Sequence, residues 1–412
     1  MGPEFFLTLL GFLLIVAFLA ETAFVRARVP SVLVLMACGL ALGPLSRILP
    51  VEQFVEVAPH FGALAFLLIL FEGGLDLDVR DVAGRLRAGV LMSSLGFLVT
   101  FAAVASLAAL LRVSFPRALV LAIVVAPISG AIVIPLLAQL GLRRQLRTLL
   151  VLEAALADVI AVLAMGIAAT LRTAGGLAGL LAIGTLLAAA FSVLLAIASG
   201  LAWPRVLRRL GDRRLADVLT FGVALVLWGV AEIPGASGAL AVLVFGLTLA
   251  NEGSILAMLG LPNVELEATT HSTVVKLHAF IGQLTFVVRA YFFVFLGVVV
   301  NFFQLSWRWY GLAGAVVVVM LGARHTVLAL LEKIGLSRLT RAERRAVLLL
   351  QPRGLVSAVL AVQASRLGFD SDGTFLGIAS LVILLTNVLL IPAAQAAASA
   401  HAEPQHEETT SG

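Results

Sequence analysis

The sequence predicts an all-α polytopic membrane protein of about thirteen transmembrane helices, and three observations carry that expectation. The 412 residues are 61% hydrophobic and only 12% charged, with a mean hydropathy of +1.11. Soluble globular domains carry roughly twice that charge. The apolar residues gather in runs of about 17–28, the length that crosses ~30 Å of hydrocarbon as a helix. Most of the basic residues sit in every second connection between those runs, the signature of loops kept on the cytoplasmic side.

Taken in order, the spans read approximately 4–22, 30–49, 57–75, 86–111, 117–140, 146–171, 176–203, 214–232, 235–250, 275–300, 308–332, 344–366 and 373–399. The ninth is short and the 251–274 link is polar, so the boundaries there are soft. One set of connections carries Arg80, Arg85, Arg87, Arg143, Arg144, Arg147, Arg205, Arg209, Arg213, Lys333, Arg338, Arg341 and Arg345, with Arg26, Arg28, Arg208, Arg214, Lys276 and Arg344 beside them. The other set holds only Arg47, Arg112, Arg117, Arg172, Arg308 and Arg366. This asymmetry places the N-terminus outside and the C-terminus in the cytoplasm; the membrane expected is the bacterial inner (plasma) membrane. The first run lacks a basic leader and resembles the later spans, so no cleavable signal is expected. Residues 1–400 read as one transmembrane domain and 401–412 as a polar, disordered cytoplasmic tail.

Composition excludes several functions. A formal charge of +5 and a pI near 10.3 would suggest nucleic acid in a soluble protein, but here the basic residues set topology, and the partner is the lipid bilayer. The single cysteine, Cys38, allows no intrachain disulfide and argues against a thiol metal site. No dinucleotide fingerprint, phosphate loop or zinc-binding helix pair is present, so neither an enzyme nor a cofactor is expected.

Two spans are interrupted. The fifth contains Ala126-Pro127-Ile128-Ser129-Gly130 and the twelfth Gln351-Pro352-Arg353-Gly354. Proline removes a backbone donor and glycine weakens helix, so both segments should unwind. Unwound backbone at membrane depth is tolerated only where it is buried in protein or lines a cavity. The two breaks lie seven spans apart, so they cross in opposite directions. Spans 1–6 and 8–13 would then be two inverted six-helix repeats with crossed discontinuous helices, a transporter pattern.

Ionisable residues inside spans are expensive and usually mark an ion or proton pathway. Asp158 lies mid-span, five residues after Glu153. At ~100° per residue the two side chains point about 140° apart, so they serve different neighbours. Asp158 can hold a proton at one stage and a desolvated cation at another, but not both, which suffices for exchange. Oxygen ligands for a hard cation would come from carbonyls of the first break, such as those of Ala126 or Ile128, and from the Ser129 hydroxyl. Glu153 is better suited to a permanent ion pair, with Arg324 its partner by depth, because arginine does not release its proton. Arg353 can offset the partial negative charge of a helix C-terminus at the second break. Glu72 is either a carboxylate at a cavity mouth or an interfacial residue in water. Arg289 either pairs within the bundle or snorkels to an interface. His60, His271, His278 and His325 show no ligand-like spacing.

These residues resemble the monovalent cation/proton antiporters, in the prokaryotic sodium/proton branch related to the animal sodium/proton exchangers. The similar segments are LFEGGLDLD in the third span, LEAALADVIAVL in the sixth, YFFVFLGVVV in the tenth, LGARHTVLALL in the eleventh and QPRGLVSAVLA in the twelfth. They run in family order over nearly the whole chain. The resemblance implies a homodimer working by elevator-like alternating access, with core helices at about 57–171 and 275–399 and the remaining spans as dimerisation scaffold. It implies that Asp158 carries the cation or proton, with Glu72 and the Ile128 carbonyl near the ion. It further implies that Glu153 and Arg324 are a structural pair and that Arg353 stabilises the crossed half-helices.

Three departures bear on the substrate. The residue before the aspartate, usually Asn or Asp, is Ala157; the residue after the glutamate, often Ser, is Ala154; and the usual Thr-Asp-Pro of the fifth span is replaced by a stretch holding Ser129. Fewer oxygens favour a poorly hydrated ion such as K⁺ over Na⁺ or Li⁺. The expected function is exchange of Na⁺ or K⁺ for H⁺ in pH homeostasis, electroneutral because no lysine is embedded in the tenth or eleventh span. The only metal is the transported cation. The alternatives are a transporter of a different solute on this scaffold and a non-transporting membrane sensor.

Overall fold

The computed structural model describes residues 2–27, 31–49, 51–174, 178–210, 215–233, 236–258, 260, 267–299, 306–335, 339–370 and 374–402. The tail predicted to be disordered lies almost entirely outside them, as do Arg28, Arg213, Arg214 and Arg338. Helices account for nearly all of the described chain, and no strand occurs among the described residues. In order they are α1 (Pro3–Ala27), α2 (Ser31–Leu40, continued by a π-helical turn Ala41–Leu45), α3 (Val51–Leu75), α4 (Val79–Leu110), α5 (Phe115–Val125), α6 (Gly130–Gln139), α7 (Arg144–Ala174), α8 (Ala178–Leu210) and α9 (Ala216–Glu232). There follow α10 (Gly238–Ala250), α11 (Glu252–Met258), α12 (Glu267–Val299), α13 (Trp307–Lys333), α14 (Arg341–Leu349), α15 (Leu355–Arg366), α16 (Thr374–Val388) and α17 (Leu390–Ala402). Seven helical stretches among the described residues are long and apolar enough to cross a bilayer, or eight with the bent α10–α11 pair.

Local chemistry explains several boundaries. The Asp78 carboxylate accepts from the amides of Arg80 and Asp81 and so starts α4 several residues before the apolar run begins. Thr340 and Glu343 form a reciprocal capping box at the start of α14. The two interrupted spans each end at a left-handed glycine, Gly141 (φ 64°) and Gly368 (φ 72°), where a Cβ would be strained.

The sequence reading needs adjustment in two places. The 251–274 link is partly helical: α11 leaves α10 at 86°. The corner is held by Asn251, whose amide donates to the carbonyls of Leu77 and Leu247 and accepts from the Val79 amide. The last span is also divided, at Leu389. Pro392 has no amide to offer the Val388 carbonyl, so the helical ladder is interrupted there.

At two helix crossings paired glycines let backbone meet backbone. A Cβ on Gly39 of α2 would collide with the Val294 carbonyl of α12, and one on Gly297 with the Met36 carbonyl. The same arrangement recurs where α3 meets α10: a Cβ on Gly74 would collide with the Leu243 carbonyl, and one on Gly246 would lie 2.7 Å from the Phe71 carbonyl. Close backbone contact of this kind is how helices associate where lipid removes the hydrophobic drive. The outward faces of α1 and α9 carry Phe12, Phe18, Val226 and Val230, all exposed, as lipid-facing surface requires.

Candidate functional site

The two helix breaks meet. α5 ends at Val125 and α6 begins at Gly130; α14 ends at Leu349 and α15 begins at Leu355. The Ser129 amide donates to the Pro352 carbonyl at 2.9 Å, joining the breaks backbone to backbone. Four half-helix ends are thus gathered at one crossing, two with exposed carbonyls and two with exposed amides.

Arg353 serves the carbonyl ends. Its side chain is 1% exposed. Nε donates to the Val125 carbonyl at 2.6 Å and Nη1 to the Gln351 carbonyl at 2.8 Å. A buried cation therefore sits on the negative ends of α5 and α14. Its backbone is fixed as well: the Arg353 amide donates to Thr386 Oγ1 at 3.0 Å, and Asn387 Nδ2 donates to the Arg353 carbonyl at 2.9 Å. The sequence reading did not single out Thr386 and Asn387; the signal was a polar pair inside the apolar run LLTNVLL.

Asp158 serves an amide end. It is 1% exposed. Its Oδ2 accepts from the Gly130 amide, the first of α6, at 3.0 Å. A carboxylate at a helix N-terminus is the favourable sign. Oδ1 is buried and has no hydrogen-bond partner, and neither has the Ser129 hydroxyl beside it in the break. A Cβ on Gly130 would lie 3.0 Å from Asp158 Oδ2, and one on Gly354 would lie 2.6 Å from Ser129 Oγ. Glycine at both positions lets α7, the first break and the second break close on one another.

Glu153 faces elsewhere, as the angular separation on α7 requires. Arg324 of α13 donates through both terminal nitrogens to the two carboxylate oxygens of Glu153, with Nη2–Oε2 at 2.9 Å. Its Nε donates to the Val347 carbonyl of α14 at 3.2 Å. Both side chains are 3% exposed. The pair borders a small cavity with Ser93 and Thr100 of α4, Ile128, Ala157 and Gln351. Ser93 and Thr100 were not identified from sequence, and Gln351 was read only as part of the second break. Ile128 and Ala157 open on this cavity, whereas Asp158 is turned from it towards α6.

Glu72 stands apart from that cluster. It is half-buried on α3, with Oε1 against Gly282 of α12. No described hydrogen bond or ion pair joins it to Asp158, Ile128 or Ser129. One turn on, Asp76 contacts His278 Nε2 at 2.9 Å. Arg289 pairs with Glu21 of α1 at 3.6 Å, within the bundle. His325 is exposed, away from the Arg324 pair; the side chain of His271 lies outside the described residues. Among the described residues no group of three or more His, Cys, Asp or Glu is placed to hold a metal ion.

Buried opposite charges at a crossing of discontinuous helices define a membrane transporter rather than an enzyme. The profile of the sodium/hydrogen exchanger transmembrane family matches residues 13–394, and the chain belongs to that family. It is therefore a multi-pass membrane antiporter with Na⁺ and H⁺ as the family's substrates. No curated protein matches the sequence. Among solved structures the fold is similar to the sodium proton antiporter MjNhaP1 of Methanocaldococcus jannaschii. One structure of it, at pH 8, gives a TM-score of 0.73 at 19% identity over 97% of both chains. Another, from an electron-microscopy map, gives 0.78 at 19% identity over 97% of this chain and 98% of that one.

Proposed function

We propose that this protein exchanges a monovalent cation, Na⁺ or K⁺, for a proton by alternating access, with Asp158 holding one or the other. The observation that carries the reading is the state of the Asp158 carboxylate. One oxygen is held by the Gly130 amide, and the other is buried without a hydrogen-bond partner from the protein. A buried oxygen without a partner is costly and calls for a ligand. A cation or a proton supplies it, and the two exclude each other.

Exchange on this reading is electroneutral. Arg353 and Arg324 hold fixed charge, since arginine keeps its proton, and no lysine is embedded nearby. Ser129 and the carbonyl of Ile128 would complete the cation's shell. With Ala154 and Ala157 offering no oxygen, K⁺ would be held well relative to Na⁺. Glu72 would act at the approach to the site rather than on the bound ion, because its contacts are with α12. Glu153 and Arg324 would be a structural pair.

The architecture we infer is thirteen spans in two inverted repeats. The glycine crossings support it: a shift of seven spans converts α2 on α12 into α10 on α3, and both crossings carry paired glycines. The core would comprise about 57–171 and 275–399, with the rest as scaffold of a homodimer. The N-terminus would lie outside and the C-terminus in the cytoplasm of the inner membrane.

The test is proton flux in proteoliposomes with a preset pH gradient, adding Na⁺, Li⁺, K⁺ or Rb⁺ in turn, for the wild type and Asp158→Asn. Cation-dependent collapse of the gradient that is lost in the variant supports the reading. Silence towards every cation in folded wild-type protein would instead favour a different solute.

A further inference from the structure

Ser357 presents a buried hydroxyl that the fold leaves without work. It is 1% exposed and its Oγ has no hydrogen-bond partner. Hydroxyls within helices of this protein usually return to the carbonyl four residues back, as those of Thr148, Thr220, Thr248, Thr285 and Thr386 do. Ser357 does not. The carbonyl four residues back belongs to Arg353, which lies in the second break before α15 and is taken by Asn387 Nδ2.

Its place in the fold gives the hydroxyl a destination. Ser357 is in the first turn of α15, one turn on from Gly354. Gly354 is the residue packed on Ser129 Oγ, at a spacing that excludes a Cβ. α15 packs on both α5 and α7, the helices that lead to Ser129 and carry Asp158. Three buried oxygens without partners, Asp158 Oδ1, Ser129 Oγ and Ser357 Oγ, therefore belong to three segments that meet at the crossing. Buried hydroxyls normally find a partner. Ser93 Oγ, Ser380 Oγ and Asn387 Oδ1 are also without one, but Ser93 borders the cavity beside Glu153, and Ser380 and Asn387 belong to α16 rather than to an interrupted span or α7.

We propose that the Ser357 hydroxyl is a ligand of the transported cation, acting with Asp158 and Ser129. The inference rests on Asp158 being the carrier and adds the residue that restores an oxygen where Ala154 and Ala157 supply none. It also ties cation binding to α15, so that the ion bridges the two interrupted spans. Hard cations take such neutral oxygens readily, and their number and spacing set the preference among ions.

The experiment titrates Na⁺ and K⁺ against the rate of pH-gradient collapse in proteoliposomes for wild type, Ser357→Ala, Ser357→Thr and Asp158→Asn. Losing one neutral ligand should raise the cation KM of Ser357→Ala roughly 3- to 10-fold at near-wild-type maximal rate. Ser357→Thr, which keeps the hydroxyl, should restore it. The ratio of the Na⁺ and K⁺ constants should also change in Ser357→Ala, which a purely structural role would not produce. An unchanged KM in Ser357→Ala, or a lowered maximal rate at unchanged KM, overturns the assignment. If that occurs while Asp158→Asn abolishes exchange, only the serine assignment falls. If Asp158→Asn still exchanges cations, the Asp158 reading falls and this inference with it.

Discussion

The Ser129 amide donates to the Pro352 carbonyl, so the breaks in two distant spans are bonded directly. Charge is then sorted around that bond: Arg353 lies on the carbonyl ends of α5 and α14, and Asp158 on the amide end of α6. Three of the four half-helix ends thus meet the sign of charge they favour.

Arg353 should not be replaceable by lysine. Its guanidinium reaches two carbonyls from two different helix ends through separate nitrogens, while an ammonium is a single compact point charge. Arg353→Lys should lose stability by about 1.5–3 kcal/mol for the lost charged hydrogen bonds, and Arg353→Ala more. Thermal unfolding of the purified protein, followed by intrinsic fluorescence, checks the order.

Glu153 and Arg324 should be coupled. Removing either partner leaves a buried, uncompensated charge, which costs about 3–5 kcal/mol. Replacing both with apolar residues of similar size, as in Glu153→Leu with Arg324→Met, should cost less than the two single changes added. A double-mutant cycle on unfolding temperature measures this. Additive losses would mean that the two residues act independently.

The glycine crossings should resist even alanine. Gly297→Ala places a Cβ against the Met36 carbonyl, and Gly74→Ala places one against that of Leu243. Backbone cannot yield as a flexible side chain can, so each should cost about 1–3 kcal/mol as overpacking. Gly84→Ala and Gly222→Ala, with open space around the Cβ, serve as controls. The unfolding temperatures of the four variants should separate into two groups.

Exchange should not respond to membrane voltage. One carboxylate trading one proton for one monovalent cation moves no net charge. Clamping the potential of proteoliposomes at different values should leave the rate of cation-dependent proton movement unchanged. A flux driven by potential alone would rule out one-for-one exchange.

Thr340 should matter through its cap. Its hydroxyl and Glu343 satisfy the start of α14, and Arg143 binds the same Glu343 carboxylate from the end of the other interrupted span. Thr340→Ala should cost about 1 kcal/mol. Glu343→Gln should cost more, because it weakens the cap and the Arg143 pair together. Unfolding temperatures check both.

Sequence alone determined that the chain is a bundle of apolar membrane helices, where two of them break, and that Glu153 and Asp158 point different ways. Apolar run length, proline chemistry and the 3.6-residue repeat are local properties, written in consecutive residues. Only the tertiary structure decided that the Ser129 and Pro352 segments touch, that Arg324 also reaches the Val347 carbonyl, and that Glu72 faces α12. It also revealed the contacts of Thr386 and Asn387 and the unpartnered hydroxyl of Ser357, which the identities of these residues do not specify. Their importance depends on which carbonyls are already taken and which oxygens are left over. That accounting exists only once distant helices have packed, because lipid offers no water to satisfy a stray polar group.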